Sequence, residues 1–359
     1  MLFKRYMSSS LELIFCKKCV MDGSAPEIIL DENGVCNFCH EAERELSLAL
    51  ENRNTLDGII ERIKKDGEGK KYDCLIGLSG GVDSSTVLSY AVKLGLRPLT
   101  FNVDNGWNRS RESDENVLKM VEKLKVPFYR YVIDTDKFRS LQGALMRGGV
   151  KNLEVATDHV LFAATYDMVN QYGIKWILSG GNVATESIMP ASWGEDARDL
   201  YWMKNIYKKM TGKKLTGLPL LPLWKEQYYR LVKQKKVLRL LDFFEYHRER
   251  AIEKLEEEFR YIPYGEKHCE SVFTWWFQSF YLFEKWGIDK RKAHLSSLIN
   301  SGQLTRAEAK KIIENPPVYP KLGLEDRVMK YPKRTWPDSK WIRNYVVKIY
   351  KYIPTSWKS

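Results

Sequence analysis

Three groups of residues in this 359-residue chain have the types and spacing to do chemistry. The first is the run LSGGVDSS, Leu78 to Ser85. It lacks the lysine that closes the common triphosphate cradle G-x-x-x-x-G-K-[ST]. Gly80 and Gly81 leave room for backbone N–H groups to converge on an anion, helped by the positive end of the helix that follows. Ser79, Ser84 and Ser85 add hydroxyl donors, and Asp83 is placed to orient the loop or to share a Mg²⁺ ion. This is a phosphate grip with no cation aimed at a γ-phosphate.

The second group is Cys16-x-x-Cys19 and Cys36-x-x-Cys39, two chelating pairs separated by sixteen residues. That spacing suits a tetrahedral four-cysteine zinc site, and the turn DENG ahead of Cys36 suits a ribbon hairpin. Four thiolates fill the shell, so the zinc is expected to be structural and His40 a bystander. Reading CNFCH as a haem attachment needs an exported chain and leaves Cys16 and Cys19 without a role. The third group is GEKHCES, where Lys267 could neutralise phosphate or transition-state charge. There His268 could take a proton from attacking ammonium. Cys269 beside them is a thiol with basic neighbours. Cys74 falls in an apolar run and is expected to be inert.

These groups need elements to hold them. YDCLIGLS, RPLTFNVD, PFYRYVID and KWILSGG read as strands, with SSTVLSYAVKL, ENVLKMVEKLK and ATDHVLFAATYDMVNQYG as the intervening helices. Gly95 sits where the first of these helices needs a cap. Such alternation predicts an α/β fold, a parallel Rossmann-like sheet with helices on both faces. Ligands then sit at the carboxyl ends of the strands, where SGGVDSS, VDNGW and SGGNVATES all fall. After about residue 190 the pattern turns helical and aromatic. Phe273, Trp276, Phe277, Phe280 and Tyr281 form a stripe that reads as a core or interface face, and Thr305 with Glu308 is a capping box.

SGGVDSS resembles the S-G-G-x-D-S motif of the PP-loop ATP pyrophosphatases (adenine nucleotide alpha hydrolase type). The resemblance implies that the loop grips departing pyrophosphate while the α-phosphate of ATP is attacked, which would make the missing lysine dispensable. FNVDNGW resembles the adenosine-contacting segment of that family and implies that Phe101, Asn102 and Asp104 lie near adenine or ribose. LSGGNVATES resembles the second glycine-rich segment of ammonia-using members and implies roles for Gly180, Asn182 and Glu186 in placing phosphates and Mg²⁺.

The terminal stretches CKKCVMD…DENGVCNFC and YGEKHCESVFT…KWGIDKRKAHLSSLINSGQLTRAEA resemble the N-acetyl sugar amidotransferases. What this implies is adenylylation of an acetamido group on a nucleotide-sugar, then displacement of AMP by ammonia, on the way to lipopolysaccharide O-antigen. Ammonia would come from a separate HisH-like glutaminase subunit, with a HisF-like barrel subunit beside it. The division expected is 1–50, zinc ribbon and linker helix; 51–245, PP-loop domain; 246–359, helical substrate or partner region.

Lys and Arg outnumber Asp and Glu by 58 to 46, a +12 balance that suits an anionic partner. No apolar run spans a bilayer and the first residues lack a secretory pattern, so a cytoplasmic protein without membrane partner is expected. The rival reading is a PP-loop tRNA thiolase. It would carry sulfur on a reactive cysteine, with Cys74 and Cys269 alone outside the zinc set; nucleic acid is not the partner expected here.

Overall fold

The computed structural model describes residues 14–107, 109–265, 269–334 and 336. Strands β1 (Cys74–Gly77), β2 (Pro98–Asp104), β3 (Phe128–Val132), β4 (Trp176–Ser179) and β5 (Lys236–Arg239) form one parallel sheet ordered β3-β2-β1-β4-β5. The chain builds outward from β1 to β3, then crosses back to lay β4 against the other side of β1. At such a reversal the loops leaving the two central strands diverge and open a crevice at their carboxyl ends. The phosphate loop leaves β1 and the second glycine-rich segment leaves β4, so both flank that crevice.

Helices α1 (Asn37–Asn52) and α2 (Leu56–Asp66) precede the sheet, and α3 (Val82–Lys93), α4 (Arg111–Leu124), α5 (Thr135–Arg147) and α6 (Val155–Gln171) occupy the first crossings. Side chains alternate across β1. Ile76 packs in one core with Val87 and Leu88 of α3, and Leu75 in another with Ala163, Ala164 and Met168 of α6. Burial on both faces is why the strand reads as an unbroken apolar run. Gly95, left-handed at φ 75°, follows α3 where the cap was expected.

The remaining helices are α7 (Val183–Glu186), α8 (Leu200–Thr211), α9 (Leu223–Leu231), α10 (Arg248–Phe259), α11 (Val272–Trp276), α12 (Arg291–Asn300), α13 (Arg306–Glu314) and α14 (Glu325–Lys330). The helical reading after residue 190 needs one correction, because β5 lies there. Four residues, KVLR, at a sheet edge are too few to show a period, and the lysines around them mask the strand. α11 runs into a wider π-helical stretch, Phe277–Trp286. Phe273, Trp276, Phe277, Phe280 and Tyr281 are all buried, as a core stripe should be. Truncating one such ring costs about 3–5 kcal/mol. Both halves of the Thr305–Glu308 capping box are present.

The cysteine segment and the helices α12 and α13 close on each other. Arg306 donates to the carbonyls of Cys19 at 2.9 Å and Cys16 at 2.8 Å. Asn300 reaches the Cys39 sulfur at 3.4 Å, and Val20 N–H reaches Ser296 at 3.2 Å. The cysteine segment and the aromatic helices share one apolar core.

Candidate functional site

Gly80 has φ 78°, and a Cβ there would lie 2.2 Å from the Ser113 carbonyl oxygen, so only glycine fits this bend. Ser79 N–H and the Ser84 hydroxyl are 3.2 Å apart, and that hydroxyl also donates to the Gly81 carbonyl at 3.2 Å. The Tyr246 hydroxyl donates to the Asp83 carboxylate, and Tyr261 donates to the Gly80 carbonyl at 3.1 Å. Arg109 holds the Ser79 carbonyl and pairs with Asp114 at 3.1 Å. Burial lowers the pKa of Arg109, against the pull of Asp114 and Glu270. Ser110 N–H meets the Glu270 carbonyl at 3.0 Å, so the loop after β2 and the segment after residue 260 brace the phosphate loop together.

A cavity of about 730 Å³ opens over this loop. Ser79, Gly81, Asp83 and Ser84 line it from one side, Gly180 and Glu186 from the β4 side. A Cβ on Gly180 would come 3.2 Å from Ser84 N, so the two glycine-rich segments touch. Gly80 shapes the bend from behind. Ser85 is buried beneath it, and its hydroxyl has no hydrogen-bond partner among the described residues. Asn182 caps α7 by accepting from Thr185 N–H at 2.9 Å and donates to the Gly180 carbonyl at 3.2 Å. It sets the course of the β4 loop.

Asn102 and Asp104 line a separate cavity of about 310 Å³, beside Arg109 and Arg130. The Asn102 amide nitrogen is buried without a partner among the described residues, the condition of a donor facing a ligand. Phe101 does not join them. Strand alternation turns its side chain into the core with Leu75 and Leu99. Lys267 and His268 lie outside the described residues; Gly265 and Glu270 on either side line the phosphate cavity.

Several residues here carried no motif. Tyr246, Tyr261, Tyr264, Arg109 and Arg248 reach the loop from distant parts of the sequence. Another such group is charged. Glu154 accepts from Thr274 at 2.5 Å and from Gln278 at 3.2 Å. Burial raises its pKa, and burial plus the Glu154 charge push neighbouring Asp158 up to about 7. Burial lowers the Lys290 ammonium, which Glu154, Asp158 and Glu186 hold up. Lys290 thus links this acidic pair to the phosphate cavity.

Cys16, Cys19, Cys36 and Cys39 are completely buried, and their sulfurs all lie within 4.8 Å of one another. Cys16–Cys39, Cys19–Cys36 and Cys36–Cys39 are 3.9, 3.8 and 3.7 Å apart. A tetrahedron with metal–sulfur bonds of about 2.3 Å has edges of about 3.8 Å. The four thiols fit one tetrahedral metal ion. Backbone N–H groups of Cys19, Met21 and Cys36 point at sulfurs from 3.4 Å, a shell that favours thiolate. His40 instead pairs with Asp31 at 2.8 Å, exposed at the surface. Cys74 is fully buried, and burial raises its thiol well above the usual range. Among the described residues no helix is long and apolar enough to cross a membrane.

Glu270 of the phosphate cavity opens a segment that matches a known family. Residues 270–337 match the family model described as LPS biosynthesis protein WbpG-like, C-terminal domain. This WbpG-like segment takes in Glu270 of the phosphate cavity, α11, α12 and α13. A protein of Methanocaldococcus jannaschii, described as uncharacterized protein MJ1599, is 25% identical over 167 residues, 46% of this chain. The chain spans 58% of the length of that curated relative. Among solved structures, NMN synthetase from Francisella tularensis is similar at 16% identity, over 64% of this chain and 98% of that one, with a TM-score of 0.28. The NH₃-dependent NAD synthetase from Campylobacter jejuni is similar at 14% identity, over 64% of this chain and all of that one, with a TM-score of 0.29.

Proposed function

We propose that this protein is an ATP-dependent amidotransferase of lipopolysaccharide biosynthesis, converting an acetamido group on a sugar precursor into an acetamidino group. The observation that carries the reading is the lysine-free nest of Ser79 to Ser84 at the crevice between β1 and β4, in a cavity that Glu270 of the WbpG-like segment also lines. Such a nest holds a diphosphate through backbone donors and a helix end, the grip a departing pyrophosphate needs. Asp83 and Glu186, two carboxylates lining one cavity, would hold Mg²⁺ there, and the ion would neutralise phosphate charge. Asn102 and Asp104 would meet the nucleoside.

The chemistry requires activation because an amide oxygen is a poor leaving group. The amide oxygen attacks the α-phosphorus, the α–β phosphoanhydride bond breaks, and pyrophosphate leaves with its electron pair. Loss of the amide N–H proton gives an O-adenylyl imidate. Ammonia adds to the imidate carbon, the C–O bond breaks toward AMP, and the amidine takes up a proton. Lys267 and His268, which fall between Gly265 and Glu270 in the sequence, would serve charge neutralisation and proton removal from ammonium.

The four cysteines would hold a structural zinc ion that fastens the N-terminal segment to α12 and α13. Ammonia would come from a separate HisH-like glutaminase with a HisF-like barrel partner, and the protein would work in the cytoplasm. The test is mass spectrometry of UDP-diacetamido sugars after incubation with ATP and ammonium. Exchange of one oxygen for an NH group supports the reading. Unchanged sugars under conditions that consume ATP, or sulfur incorporated into tRNA, would replace it with the alternative.

A further inference from the structure

Beside the phosphate cavity lies a second one of about 260 Å³. The two share Arg248 and Glu249, and the second is also lined by Thr185, one residue before Glu186. Lys290 lines the second cavity and feels the charge of Glu186, which lines the first. A molecule in the second cavity therefore sits next to whatever the phosphate loop holds. Twelve of its sixteen lining residues, from Trp275 to Pro317, come from the WbpG-like segment. The loop is general ATP-handling machinery; this wall is where acceptor preference can be written.

We propose that the second cavity is the acceptor subsite and takes the acetamido hexose ring. The proposal rests on the amidotransferase reading and deepens it. The volume falls just below the roughly 300–1,000 Å³ of drug-sized ligand pockets, enough for one sugar ring with its acetamido arm but not for an attached nucleotide, which would extend outward. The wall has the mixed character a sugar needs. Leu298, Leu304 and Ile312 are apolar, and Gln278, Ser279 and His294 are polar. Trp275 donates its indole N–H to the Val318 carbonyl at 2.7 Å. That bond fixes the ring and leaves its flat apolar surface for the C–H face of a pyranose. Gln278 is held in turn by its bond to Glu154.

Saturation-transfer NMR with UDP-N-acetylglucosamine as probe tests this, in the presence of an α,β-methylene ATP analogue. Irradiating the protein should transfer saturation to the acetamido methyl and pyranose protons. Trp275→Ala, and separately Leu298→Trp to fill the space, should each weaken probe binding about tenfold or more. Affinity for the ATP analogue, which certifies the fold, should stay unchanged. Probe binding that neither variant alters, or absence of saturation transfer in the wild type, overturns the proposal. The two readings fail separately. If both variants release pyrophosphate with an acetamido sugar at unaltered KM, the subsite falls and the amidotransferase stands. If the probe binds and the variants lose it while ATP goes to ADP, the subsite stands and the amidotransferase falls.

Discussion

The cysteine cluster and the glycine-rich loop are built by opposite means. The cluster presents four side-chain sulfurs, all buried, in a space no larger than one ion. The loop is built on glycines, holds Ser79 and Gly81 N–H groups on its own hydroxyls, and faces a cavity of about 730 Å³. The first is closed; the second is open. α12 joins the cluster to the space beside the loop, contacting Cys39 through Asn300 and lining the second cavity through His294 and Leu298. The closed site thereby anchors the wall of that second cavity.

Breaking the closed site should have the largest effect. Cys36→Ser removes one of four thiolates, and structural zinc contributes on the order of 10 kcal/mol, comparable to the whole stability of a domain. Metal analysis should show loss of bound ion, and urea unfolding followed by circular dichroism should show collapse of the midpoint. Full metal content in this variant would contradict the four-thiolate assignment.

Breaking the open site should spare the closed one. Asp83→Ala is expected to lower pyrophosphate release about a hundredfold or more with metal content unchanged. Gly80→Ala adds a left-handed strain of about 1–2 kcal/mol to a Cβ 2.2 Å from a carbonyl oxygen. ATP affinity measured by calorimetry should fall about tenfold or more. An unchanged affinity would show that the bend at Gly80 does not set the nest.

The link between the regions can be tested more gently. Arg306→Ala deletes the donors to the Cys16 and Cys19 carbonyls and should cost about 1–3 kcal/mol in denaturant unfolding, with catalysis affected less than stability. A pH test concerns Asp158, whose pKa near 7 lies above its unfolded value of 3.8. The folded state binds the proton more tightly, so this group's contribution to stability declines as pH rises from 3.8 to about 7. Asp158→Asn should flatten that part of the stability–pH curve. A slope equal to the wild type would remove Asp158 from the buried charge group.

The same contrast explains what was legible from residues alone. A side-chain cluster such as that of the cysteines is written in residue types and spacing, so the convergence of all four and the place of His40 outside them could be read directly. The phosphate loop was legible because its glycines and hydroxyls are contiguous. Its bracing was not. Arg109, Tyr246 and Tyr261 act on backbone carbonyls or on Asp83 from elsewhere in the chain, and no local pattern marks them. Phe101 shows the limit within a motif: a segment can border the nucleotide while alternation sends one of its side chains into the core. Four strands were visible as apolar runs, whereas β5, short and lysine-flanked, was not.

The central claim is that a lysine-free backbone nest exists to let diphosphate go. Phosphorus-31 NMR of the protein with ATP, Mg²⁺, ammonium and a UDP-diacetamido sugar tests it most directly. The account predicts AMP and inorganic pyrophosphate in equal amounts, dependent on the sugar. Formation of ADP and orthophosphate in step with sugar modification would contradict it.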